Sequence, residues 1–200
     1  MHKTLNNYFF KLGLLFAATY FMNFTNKIVY CALLLTILGT VLNGIAKCHG
    51  GQKATMSILF CTTISLVLLY NKPYCIIPGK PIRGLIIASL CAILIASYIG
   101  CKLFLKLNSH YRFAISNYIS LLVFGLVDHL IMGLFFTKTF PLYKVWLIIY
   151  KETTYTYLFA SIVYLCSIAV VYGQPLYLKL KQYRGLLRSV KQVKSKIPPL

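Results

Sequence analysis

Acidic side chains are almost missing from this sequence: among 200 residues only Asp128 and Glu152 are acidic, against 21 Lys and Arg. A net charge of +19 by itself points to nucleic acid or an anionic surface. The distribution of the cations excludes nucleic acid, because they stand in short groups between long apolar runs and form no separate basic domain. Other signatures are missing too. The seven cysteines (Cys31, Cys48, Cys61, Cys75, Cys91, Cys101 and Cys166) include no CxxC pair and no regular framework, and they read as small apolar packing residues. No HExxH, HxxxH or Cys/His spacing makes a metal site, so no metal is expected. GxSxG, P-loop and dinucleotide fingerprints are absent, and no Ser or Cys is placed recognisably with a His and an acid. Enzymatic chemistry and a bound cofactor are therefore not expected.

What is present is apolar surface. The chain is 59% hydrophobic with a mean hydropathy of +0.75, more than one soluble core of this size can bury, and lipid is the place for the rest. A membrane-spanning helix needs about 20 mainly apolar residues. Six stretches come near that: Tyr8 to Phe24, Ile28 to Ala46, Ala54 to Tyr70, Gly84 to Leu105, Phe113 to Thr137 and Tyr155 to Leu178. The expected fold is an all-α integral membrane protein, a bundle of about six transmembrane helices over 1–178, followed by a basic tail over 179–200. The first apolar run lacks a small-residue cleavage site and reads as a retained helix. Loops with charge and turn signals are expected at Lys47 to Lys53, Asn71 to Arg83, Lys106 to Arg112 and Lys138 to Glu152.

With six spans and the N-terminus inside, fourteen cations fall on the cytoplasmic side and seven outside, so both termini are expected in the cytoplasm. The tail supplies half of the fourteen. Its spacing of Leu178, Leu180, Tyr183, Leu186, Leu187, Val190 and Val193 among cations could make an amphipathic interfacial helix; the other reading is a solvated extension of the last span held near anionic lipid.

Asp128 is the candidate site residue. An ionisable group inside a span costs roughly 2.5–3.5 kcal/mol on the insertion scale and normally faces the bundle interior or a polar cavity. On a helix, Asn117, Leu121, Phe124, Gly125 and Asp128 share one broad face. This stripe reads either as a ligand site or as an Asp hydrogen-bonded to neighbouring Ser, Asn or Tyr that locks the bundle. His129 points about 100° away on an ideal helix, so a coupled Asp/His pair is not expected. In the fourth span Ala88, Ala92, Ala96 and Gly100 recur every four residues and make a smooth surface for close helix approach, from another span or from a partner subunit.

The order of motifs resembles the queuosine precursor transporter family, vitamin-uptake-type permeases related in architecture to the S components of energy-coupling-factor transporters. The resemblance is carried by the first span running into Asn23-Phe24-Thr25-Asn26-Lys27, the turn His49-Gly50-Gly51-Gln52-Lys53-Ala54, and the stretch Arg83 to Phe136. Within that last stretch lie Ala88-Ser89, Ile99-Gly100, Leu103-Phe104, then Arg112, Ser120 and Asp128 before Leu134-Phe135-Phe136. The chain departs from the family pattern at Asn43, Lys47, Cys101 and Ala160. The resemblance implies import of a 7-deazaguanine-type, purine-like base across the bacterial inner membrane, with a separate energising subunit as an S-component-like partner. Under it, Asp128 would read the base edge, Asn117 and Ser120 would add hydrogen bonds, and Asn23 or Asn26 would contribute from the first span. The competing expectation is a non-transporting scaffold or assembly subunit that binds partners through the small-residue face and the basic tail.

Overall fold

A computed structural model describes residues 2–25, 27–70, 75–77, 80–81 and 84–194, with side chains described over 7–25, 27–70 and 84–171. The helices are α1 (His2–Met22), α2 (Ile28–His49), α3 (Gly51–Leu69), α4 (Leu85–Asn108), α5 (Phe113–Phe136) and α6 (Leu142–Lys194). Between α3 and α4 a short antiparallel hairpin pairs β1 (Cys75–Ile77) with β2 (Lys80–Pro81), in register Cys75 with Pro81 and Ile77 with Lys80. The protein is an all-α, multi-pass membrane bundle. Among the described residues, five helices are long and apolar enough to cross a bilayer: α2, α3, α4, α5 and the Leu142–Val171 part of α6. Side by side with them, α1 packs on α2 and α3 and puts Leu15, Ala18 and Met22 into the common core.

α2 touches every other helix and forms the axis of the bundle. Its buried positions include Leu35, Leu38, Gly39, Leu42, Asn43 and Ala46, spaced by three and four residues as one broad helical face requires. Gly39 is where a side chain would not fit: a Cβ there would lie 2.6 Å from Leu121 Cδ2 and 2.9 Å from Phe124 Cδ1. The outer surfaces are apolar, with Phe10, Val67, Leu134 and Tyr150 each at least 70% exposed, as lipid-facing side chains are. The turn from α2 to α3 takes one residue, Gly50, whose φ of +89° favours glycine; its N–H donates to Ala46 O (3.0 Å) and its carbonyl accepts from Ala54 N (3.2 Å).

One expectation from the sequence needs correction. Of the segment Lys138 to Glu152, only 138–141 is a connection. Helix α6 begins at Leu142, directly after Pro141, whose carbonyl accepts from the N–H groups of Lys144 (2.9 Å) and Val145 (3.2 Å). A proline at a helix start has no N–H to leave unpaired, so the residue read as a breaker opens the helix. Lys144 and Lys151 are exposed, while Glu152 turns inward. α6 then continues unbroken to Lys194, a backbone of 53 residues and about 80 Å at 1.5 Å per residue, well beyond the roughly 30 Å hydrocarbon layer. The proposed tail at 179–194 is thus helical in continuity with the last span, and its amphipathic face falls outside the described side chains. Of the two uses read for the small-residue line on α4, the approach of another span is the one found: Ala92 and Ala96 are fully buried, and a Cβ on Gly100 would lie 3.1 Å from Phe124 Cβ. This face seats the chain's own helix α5.

Candidate functional site: a carboxylate–imidazole–carboxylate cluster

The chain's two acidic residues meet at one histidine. His129 Nδ1 lies 3.3 Å from Glu152 Oε2 on α6 and 3.7 Å from Asp128 Oδ2 on α5, while His129 Nε2 lies 3.0 Å from Thr156 Oγ1. This corrects the expectation that Asp128 and His129 would diverge. Consecutive helical residues do differ by about 100°, but α5 is enclosed on two sides, by α2 and α4 and by α6. Asp128 and His129 are therefore both buried, at 6% and 3% exposure, and both reach the α5/α6 seam. Gly125 makes that seam close: a Cβ there would lie 2.6 Å from Thr156 Cγ2.

The cluster faces a cavity of about 180 Å³ walled by Met22, Asn23, Leu85, Ser89, Met132, Phe136, Phe140 and Ile148, with Cys31 beside the carboxylates. A second apolar cluster, built on Leu85, Phe136 and Val145, adjoins it, and Leu85 and Phe136 belong to both. Asp128 Oδ1 is buried and, among the described residues, has no hydrogen-bond partner. A carboxylate oxygen left unpaired in a dry wall is costly unless a donor arrives, so the cavity is built to accept N–H or O–H groups. Among the described residues no Lys or Arg lines it. Among the described residues no group has the arrangement of a metal centre.

The opposite end of the bundle is basic. Lys11 Nζ donates to Gly44 O (3.4 Å), Lys47 Nζ stands 4.7 Å from the Phe113 ring centroid, and Lys53 and Lys102 line a wide cavity with His49, Tyr8 and Tyr98. Lys27 and Lys144 stand at the end that holds the acidic cavity, so cations are found at both ends.

Of the residues singled out from the sequence, Asp128 and Asn23 line the acidic cavity. Asn26 lies outside the described residues. Asn117 and Ser120 are elsewhere: Asn43 Nδ2 donates to Asn117 Oδ1 (2.9 Å) and Ser120 Oγ (3.1 Å), and Ser120 Oγ donates to Gly100 O (2.9 Å). This network ties α2, α4 and α5 together. Asn117 and Asp128 share a face, but eleven residues put them about 16 Å apart along the axis, at different depths. Asn43→Ala should therefore lower the thermal midpoint in detergent, at a cost of about 1–2 kcal/mol, while leaving the acidic cavity intact. An unchanged midpoint would mean the network holds nothing together.

Glu152 and His129 were missed from the sequence, yet the signal was there. In a chain with two acids, an inward-facing second acid next to an apolar run is conspicuous, provided the run is allowed to start at Pro141. Compared with protein-family models, with curated proteins and with solved structures, the chain finds no match.

Proposed function

We propose that this protein is a membrane transporter that imports a small flat base with donor edges, of the 7-deazapurine type to which queuosine precursors belong, across the bacterial inner membrane. The observation that carries the reading is Asp128 Oδ1, without a hydrogen-bond partner among the described residues at the wall of a cavity. An ionised carboxylate accepts paired N–H groups, the edge a guanine-like base presents. Phe136 and Phe140 supply apolar, flat walls for a ring. At about 180 Å³ the cavity is smaller than the roughly 300 Å³ lower bound of drug-sized pockets, which suits one bicyclic base and not a nucleotide. By the positive-inside rule the basic C-terminal tail is cytoplasmic, and the acidic cavity, at the N-terminal end of α6, then lies towards the outer face, where an importer loads. The scaffold alternative loses support, because the small-residue face it relied on is filled by α5.

The size argument is testable directly. Purified protein should be stabilised against heat, saturably, by a 7-deazaguanine-type base, and not by the corresponding nucleoside monophosphate at equal concentration. Equal stabilisation by the phosphorylated form would move the ligand out of this cavity.

A further inference from the structure

Resting on the transporter reading, we propose that import is driven by proton symport, with His129 as the proton-carrying group held between Asp128 and Glu152. The geometry names the groups that decide this. From α5 come Asp128 and His129, from α6 Glu152, and from α2 the thiol of Cys31; α1 and α4 contribute Asn23 and Ser89, which do not titrate. No Lys or Arg among the described residues lines this cavity, so none of these balances the two carboxylates. A proton can. With both carboxylates ionised and the imidazole neutral the cluster carries two negative charges, and a proton taken up by the His129 ring reduces that to one. Moving the loaded cluster out of contact with water is cheaper with that proton on, because net charge enclosed in a low-dielectric bundle is penalised.

The placement also gives the proton a direction. Glu152 stands one turn nearer the open end of α6 than Thr156, and His129 joins the two, with Nδ1 towards Glu152 and Nε2 towards Thr156. Farther from that end, the same α5/α6 seam holds the Tyr118 and Ser161 hydroxyls 3.4 Å apart. A proton taken from outside water onto the cluster leaves from His129 Nε2 towards the inner end, and no bond other than N–H and O–H is made or broken. His129 is the only buried histidine among the described residues.

The experiment uses the full-length protein in proteoliposomes with a labelled 7-deazaguanine-type base. With the lumen one pH unit more alkaline than the medium, the base should accumulate up to about tenfold, the limit for one proton per molecule. A protonophore should reduce this to simple equilibration. In parallel, isotope-labelled histidine should give one ring signal that changes protonation state when the base is added, and that signal should be missing from His129→Gln. Accumulation that ignores both gradient and protonophore overturns the coupling and leaves the transporter reading standing. Accumulation that follows the gradient while the His129 ring stays unchanged overturns the role of His129. Failure of the base to enter under any gradient overturns the transporter reading and the coupling with it.

Discussion

Asp128→Asn should abolish accumulation of the base while the protein still folds and inserts. The substitution keeps the shape and removes the charge, and the amide it introduces turns a donor towards the donors of the ligand. Hydrogen bonds to a charged group contribute about 1.5–3 kcal/mol each, so losing two weakens binding by roughly 100-fold or more at about 1.4 kcal/mol per factor of ten. The fold has little to lose, since Asp128 Oδ1 has no hydrogen-bond partner among the described residues and Oδ2 stands 3.7 Å from the imidazole. Binding to purified protein, measured beside its thermal midpoint, separates the two effects. Weak binding with an unchanged midpoint is the expected pattern; a collapsed midpoint would make Asp128 a structural lock.

Gly125→Ala should disable the protein from a position that touches no ligand. The added Cβ would lie 2.6 Å from Thr156 Cγ2, and a contact under 3 Å forces something to move. Because α5 and α6 are packed along this seam, the shift falls on the pair of helices that hold the cluster. The 3.0 Å contact of His129 with Thr156 and the 3.3 Å contact with Glu152 both cross it. Overpacking of this kind costs about 1–3 kcal/mol. The second-site variant Thr156→Ser removes the obstructing methyl and keeps the hydroxyl, so Gly125→Ala with Thr156→Ser should recover most of the lost stability and uptake. Gly44→Ala is the control, because a Cβ at Gly44 meets nothing within 4 Å. Additive damage in the double variant would show that the seam does not act through this contact.

The fold was legible because lipid imposes a coarse rule: runs of about 20 apolar residues broken by charge. Helices α2, α4 and α5 begin at or within one residue of where that rule starts them. The starts of α1 and α3 lie a few residues earlier than read, and the largest departure was the start of α6, where Pro141, Lys144, Lys151 and Glu152 looked like a loop. Local charge says nothing about which way a side chain faces; Lys144 and Lys151 are exposed while only Glu152 turns to the interior. The stripe on α5 was also legible, for Asn117, Leu121, Phe124, Gly125 and Asp128 are all buried. Its division into two functions was not, because periodicity reports angle and not depth. Asn117 is engaged by Asn43 from α2, while Asp128 meets a cavity shared with α1, α4 and α6. Those partners are far away in sequence, and only the packing of α2 at the centre brings them together.

The most direct measurement is uptake of a labelled 7-deazaguanine-type base by cells that can neither make nor import it, expressing either the parent chain or its Asp128→Asn form at equal abundance in the membrane. Uptake by the parent alone is the expected result, and it would place the carboxylate in the transport site. Equal uptake by both forms would contradict the assignment of Asp128, and no uptake by a membrane-inserted parent would contradict the proposed substrate.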